Sequence, residues 1–453
     1  MRVAVIGAGI VGVCTAYELA ADGHEVTVLD RRGGIAAEAS FANAGLIAPG
    51  YIAPWAAPGM PWRIARQLFS RHAAVRWTPR PEPAHWAWIR RWLGACRKAP
   101  YLAHHQALLG LATYSQQRLR GLVDQRALEY ERSDGCLVLL RTARDTQRAE
   151  AALALLREAG IAHALLSPVQ ARQVEPALAD EPPLDAAVHL PGAEVGNCRQ
   201  VAHLLRDLSE QRFNVDFRFA TDVTQITPSP QGPVLRLEQL ALSTGFGASR
   251  SVHNARVSRE VTARRAVAAA RFLEPVNDEA YDAVVLCGGA GSAALLPALG
   301  LKVPLQPVFG YSVTFQMRAA EHAPRSAVMD EHFKVAITRL GDRVRVAGAA
   351  EYGAVAERMH DGVIETLHQV MHDWFPSAAN RARAQAWKGA RPMLADGPPL
   401  IGAAPMPGVW LNLGHGSSGW ALACGSARLL ADQMAQRLPE VDRRPFDPGR
   451  YRA

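Results

Sequence analysis

The sequence predicts an α/β protein, α+β when both parts are counted, in which a discontinuous doubly wound domain is interleaved with a domain built on a mixed or antiparallel sheet. Three observations carry this expectation. Residues 2–30 read as strand, glycine turn, helix and second strand, one complete βαβ unit. The same strand-to-glycine grammar returns at 283–291 and 409–419, so distant pieces of chain complete that unit. Between them, 305–349 alternates in short runs ("VFGYSVTF", "VAITRL", "RVRVAGAA") as antiparallel strands do. Segments 1–50, 191–301 and 386–440 are assigned to the first domain, and 51–190 with 302–385 to the second.

Gly7-Ala8-Gly9-Ile10-Val11-Gly12 is GxGxxG between a strand and a helix. The first glycine permits the tight turn, the second admits a pyrophosphate to the backbone, and the third lets helix and strand pack closely. The helix start offers bare N–H groups to phosphate. Asp30 ends the second strand, where a carboxylate can accept ribose hydroxyls, and Arg31 follows it. With strand, helix and acid in place, the motif predicts a Rossmann-type dinucleotide site.

The next stretch, "ASFANAGLIAPGYIAPWAAPGMPW", is too rich in Gly and Pro for a long helix and reads as a functional loop. From Glu82 to Gly121 the pattern is helical, with Trp86, Trp88 and Trp92 among Arg90, Arg91, Arg97 and Lys98. "GCLVLL" is a strand, and "TQRAEAALALLREAG" an amphipathic helix closed by Gly160. A further helix leads into the strand "VDFRFA", and residues 228–276 then break the rhythm. "DAVVLCGG" resumes the core pattern and ends in Gly288 and Gly289, while 357–374 is helical.

At 453 residues the chain has room for two or three domains. Its formal charge of +8 suits anionic cofactors, acidic substrates or an anionic membrane surface, and does not by itself indicate nucleic acid. The six cysteines are scattered with no CxxC pair, so neither a disulfide framework nor a metal site is expected, and a cytoplasmic setting is. Glycines interrupt the N-terminal apolar run and no A-x-A pattern follows, which argues against a signal peptide. No run approaches the roughly 18 apolar residues of a membrane span, so any membrane contact is peripheral.

GxGxxG alone does not separate FAD from NAD, since both carry an ADP half. The second glycine turn does: Gly414, His415, Gly416, Ser417, Ser418 and Gly419 open a helix near the C terminus. A flavin must be held at two ends, and a helix N terminus stabilises the negative charge of its reduced ring by up to about 2 kcal/mol. Nicotinamide needs no such cap, so the pair of turns favours FAD.

The segments "RVAVIGAGIVGV", "SFANAGLIAPGYIAPWAAPG", "GYSVTF", "VAITRL", "GARPMLADGPPLIG" and "LNLGHGSSGWALACGSARLLAD" occur in an order that resembles FAD-dependent oxidoreductases of the D-amino acid oxidase, glycine oxidase and sarcosine oxidase superfamily. Within it the D-amino acid dehydrogenase branch is the most similar. The resemblance implies oxidation of D-amino acids to 2-oxo acids and ammonia, with hydride passing from Cα to flavin and electrons onward to a quinone at the inner membrane face. It also implies that Ser40, Asn43, Ala44 and Gly45 line the flavin, that Val223 meets the adenine, and that the loop through Tyr51 lies near substrate. Oxidation of secondary amines such as sarcosine or proline, and an FAD-binding subunit inactive alone, are the alternatives.

Such chemistry asks the protein to clamp a carboxylate. Arg391 in "KGARPMLADG" is the expected clamp, since a guanidinium gives a carboxylate two parallel hydrogen bonds; an ion pair with Asp396 is the competing role. Arg339 is a second candidate, and Tyr311 and Tyr51 are candidate hydroxyl donors. No His/Asp or Cys/His constellation marks a dedicated base. The tryptophans at 86–92 suit either domain core or an interfacial membrane contact. Residues 230–272, with Arg236, Arg250, Arg256, Arg259, Arg264, Arg265 and Arg271, read as a basic insertion, either solvated or docked on an anionic surface.

Overall fold

The computed structural model describes residues 1–67, 72–240 and 274–451. Strand Arg2–Ile6 buries its last four residues, which a strand covered on both faces must do. It lies inside a six-stranded sheet of order Leu400–Ala403, Val409–Leu413, Ala283–Leu286, Arg2–Ile6, Glu25–Leu29, Asp216–Arg218. All pairings are parallel except that of Leu400–Ala403. The three strands that run into glycine turns are therefore neighbours pointing the same way, and their turns share the carboxyl edge where open α/β sheets bind ligands.

Helices Ile10–Ala21, Cys198–Phe213 and Gly419–Met434 contribute to the core on one face, joined by Leu108, Leu111 and Leu119 of the long helix Lys98–Arg126. The opposite face packs on an antiparallel sheet of Thr221–Thr227, Val234–Gln239 and Glu274–Ala280 through Ile226, Leu235, Leu286 and Leu411. Residues at the start of the expected basic insertion thus form a strand, and Arg236 pairs with Asp278 at 3.2 Å. Residues 241–273, with the remaining arginines named above, lie outside the described residues.

The second sheet is mixed and has ten strands. Its path runs Ala379–Met393, Gln306–Met317, Arg343–Tyr352, Val335–Leu340, Ala327–Asp330, Arg132–Leu140, Ala186–Gly196, Leu46–Ile47. Two short strands, Val75–Trp77 and Ala164–Leu166, pair off that path. Strand alternation divides its side chains. Val313, Phe315, Val344, Val346, Val335 and Ile337 pack with helix Asp361–Trp374. Val308, Gly310, Ala336 and Ala347 line a cavity. Met393, at the end of one edge strand, bridges to His415 of the C-terminal glycine turn, and at the other edge Gly196 N–H donates to Gly45 O at 2.8 Å, extending the pairing of Ala186–Gly196 with Leu46–Ile47.

Helix Pro83–Ala95 places two of its three tryptophans in the core. Trp88 and Trp92 are buried with Trp55 nearby, and the Trp88 indole donates to Met393 O at 3.2 Å. Only Trp86, at 48% exposure, faces outward. No helix among the described residues is long and apolar enough to cross a membrane, and none of their His, Cys, Asp and Glu side chains form a metal-binding group.

Candidate flavin and substrate site

One cavity of about 930 Å³ runs from the glycine turns of the parallel sheet to the face of the ten-stranded sheet. Gly7, Gly9, Ile10, Val11, Asp30, Arg31, Ser40, Asn43, Ala44, Gly45, Tyr51, Val223, Gly288, Gly289, Tyr311, Arg391 and the whole turn Gly414–Gly419 line it. Of the residues singled out from sequence, Gly12 and Arg339 do not.

At the nucleotide end the glycines are required by space. Gly7 has φ +110°, and a Cβ there would lie 2.8 Å from Cys287 O; a Cβ on Gly12 would lie 1.8 Å from Gly7 O. Gly12 therefore shapes the turn from behind. Ser40 Oγ accepts from Ile10 N–H at 3.0 Å, capping one of the orphan donors of the helix start. Asp30 accepts from Ala8 N–H at 2.6 Å and Arg32 N–H at 2.7 Å. Burial raises its pKa, against the pull of those two donors. Each carboxylate oxygen retains a second lone pair for a hydroxyl. Arg31 donates to Glu38 at 2.8 Å and lies across Gly291.

At the C-terminal turn, Gly414 (φ +83°) and Gly416 (φ +58°) hold conformations and spaces that side chains would not accept: their Cβ atoms would meet Leu394 Cδ1 at 2.5 Å and Met393 Sδ at 2.7 Å. Helix Gly419–Met434 begins there with no side-chain cap, leaving its first N–H groups open to the cavity. His415 is buried, its Nε2 lying 3.0 Å from Ser426 Oγ, whose own proton goes to Ala423 O at 3.1 Å. Burial depresses the imidazole pKa to about 3, so it is a neutral peg that locks the turn.

On the sheet face, Arg391 Nη1 donates to Ala349 O at 2.7 Å. No carboxylate among the described residues pairs with it, and burial lowers its pKa to about 10. Asp396, its alternative partner from sequence, pairs with Arg450 at 3.1 Å. The Trp387 indole lies against Gly389, leaving no room there for a Cβ.

Arg339 and Tyr311 are placed differently from Arg391. Arg339 lies on the opposite face of its strand from Ala336, because residues an odd number apart in a strand face opposite ways. Its guanidinium sits near Gly341 O and Glu175, away from the cavity. Tyr311 reaches the cavity wall, but its hydroxyl donates to Glu351 Oε2 at 2.5 Å, and Glu351 also pairs with Lys388 at 3.0 Å. Tyr51 is at the wall too, donating to Glu331 Oε2 at 2.7 Å beside Lys334. Gly310, Trp387 and Arg345 were not singled out; a glycine inside the strand "VFGYSVTF" was the available signal for the first.

The family model described as "FAD dependent oxidoreductase" matches residues 2–433. The chain belongs to that family. The flavoprotein is 37% identical over 453 residues to "D-amino acid dehydrogenase 1" of Mesorhizobium japonicum, covering all of both chains. It is 38% identical over 457 residues to a D-amino acid dehydrogenase of Methylobacterium radiotolerans, again covering both completely. Among solved structures, glycine oxidase from Geobacillus kaustophilus superposes with a TM-score of 0.71 at 20% identity, covering 98% of each chain. The L-proline dehydrogenase of P. horikoshii gives 0.69 at 14% identity, covering 99% of this chain and 93% of its own. The flavoprotein's residues suit FAD: glycine cradles that a Cβ would fill at both turns, and an uncapped helix start at Gly419 for the polar edge of the cofactor.

Proposed function

We propose that the protein oxidises D-amino acids to 2-oxo acids and ammonia and that Arg391 holds the substrate carboxylate. The observation that carries the reading is Arg391 itself, a half-buried guanidinium lining the cavity with a backbone carbonyl and, among the described residues, no carboxylate as partner. Such a cation is costly to bury unless an anion arrives to pair with it. A carboxylate bound there is held in one orientation, which fixes the position of Cα.

Bound FAD supplies the two-electron acceptor for the hydride that leaves Cα. The amine must be neutral before hydride departs, and the apolar surroundings of the site favour the neutral form. No acid or base is assigned; His415, held neutral against Ser426, is a structural element of the turn. The imine that results takes up water and releases ammonia.

The acceptor of the electrons is proposed to be a quinone reached at a membrane surface. Helix Met60–Gln67 lines the cavity through Met60, Arg63 and Ile64 and exposes Trp62 to 75%, with Arg63 and Arg66 alongside. Exposed Trp beside Arg suits an anionic interface. Co-sedimentation with anionic but not neutral vesicles, weakened by Trp62→Ser, supports this; equal partition into both argues against it.

Arg391→Met tests the catalytic reading. The loss of one bidentate charge-assisted contact corresponds to a rise in KM for D-alanine of roughly 10-fold to 150-fold. Unchanged KM in a variant that retains FAD would contradict the assignment.

A further inference from the structure

The segment Ala42–Gly45 is held by residues remote in sequence. Ser312 Oγ donates to Ala42 O at 2.8 Å, and Arg345 Nη1 donates to Asn43 O at 3.0 Å. Gly45 O accepts from Gly196 N–H at 2.8 Å and from the Trp420 indole at 3.2 Å. In a trans peptide the C=O and the following N–H point opposite ways. Drawing the Ala42 and Asn43 carbonyls toward the sheet therefore turns the N–H groups of Asn43 and Ala44 away from it. Among the described residues neither N–H finds a protein acceptor, and both residues line the cavity.

Arg345 is unusual in its own right. It is buried, and its Nε donates to the cross-strand neighbour Thr314 at 3.0 Å. The nearby carboxylate of Glu131 is occupied by Arg343 and Asn197. Burial, reinforced by the charge of Arg343, lowers the Arg345 pKa to about 10. An arginine buried without a carboxylate is disfavoured unless its hydrogen bonds serve another group. Among the described residues its contact toward the cavity is the Asn43 carbonyl.

We propose that Arg345 is a positioning residue: by holding Asn43 O it presents the N–H groups of Asn43 and Ala44 as a donor pair to bound FAD. Its charge, passed through that polarised peptide, favours the reduced, more negative flavin. The inference rests on FAD occupying the cavity, not on which amine is oxidised. It therefore stands or falls separately from the D-amino acid reading.

The test compares Arg345→Met, Arg345→Lys and Ser312→Ala with the wild-type holoprotein by FAD dissociation constant, flavin midpoint potential and apoprotein melting temperature. Arg345→Met is expected to bind FAD on the order of tenfold more weakly, as loss of a charged hydrogen bond implies. Its midpoint potential is expected to be more negative, and Arg345→Lys, which keeps the charge, to recover part of the potential. Ser312→Ala should show a smaller loss of affinity. If Arg345→Met does not fold, the other two variants decide: weaker FAD binding in both supports the proposal, and wild-type affinity in both overturns it. A fall in affinity with unchanged potential, tracking a fall in apoprotein melting temperature, would make Arg345 merely structural and would also overturn it.

Discussion

The guanidinium of Arg391 lies against the α-carbon of Gly310, so close that a Cβ there would be 2.3 Å from Arg391 Nη2. The two residues sit on adjacent antiparallel strands, Val308 facing Arg391 and Gly310 facing Gly389. A glycine inside a strand is justified by such an approach. Gly310→Ala must displace the guanidinium, since Ala349 O fixes its other side. The expected outcome in steady-state kinetics is a KM for D-alanine raised about tenfold or more, with a smaller change in kcat. A KM within twofold of wild type would show that the clamp lies elsewhere.

Tyr311 and Arg339 give the opposite expectation. Tyr311→Phe removes a hydrogen bond to Glu351, which keeps Lys388 as a partner. It should cost roughly 1–3 kcal/mol of stability and leave KM unchanged. Arg339→Ala, on the far face of the sheet, should leave both kcat and KM near wild type. A large KM effect from either would restore it to the site.

The helices behind the two glycine turns are joined by Arg428, which donates to Glu18 at 2.8 Å and to Asp22 at 2.5 Å. Burial pushes the Asp22 pKa up, and Arg428 and Arg437 outweigh it, so the carboxyl titrates below its ordinary value of 3.8. A depressed carboxyl stabilises the fold fully above its unfolded pKa, and the gain is lost as pH falls through the folded one. Asp22→Asn should therefore lower the urea midpoint at pH 7, and its deficit relative to wild type should shrink only below pH 3.8. A deficit that is the same at pH 7 and in acid would deny the pair its role.

His415 provides a second pH signature in a higher window. Its folded pKa of about 3 lies below the ordinary 6.5, so the unfolded chain takes up the proton first as pH falls. Its contribution is fully present above the unfolded pKa and declines below it, by about 1.4 kcal/mol per pH unit at most. Urea denaturation between pH 7 and 5 should show this slope in the wild type, and His415→Asn should flatten it. An unchanged slope would mean that the imidazole is charged or exposed in the fold.

What could be read from sequence was what is local. Gly7, Gly12, Gly414 and Gly416 announce turns because their φ and spatial requirements belong to the turn itself. The adjacency of the three glycine-ended strands follows from the parallel α/β pattern. Arg391 and Arg339 both sit in strands, and only sheet parity separates a cavity-facing arginine from one packed outside. The clamp on Ala42 and Asn43 was hidden because Ser312 and Arg345 reach that loop through strand register, across hundreds of residues of chain. Tyr311 read as a donor because nothing local reveals that Glu351 stands opposite.

The central claim, that this flavoprotein takes its electrons from D-amino acids clamped at Arg391, is tested most directly by the anaerobic visible spectrum of the purified protein with D-alanine, L-alanine and proline added in turn. Bleaching of the flavin by D-alanine and not by L-alanine, lost in Arg391→Met at the same concentration, is the expected result. Flavin bleached only by proline, or by no amine at all, would contradict the account.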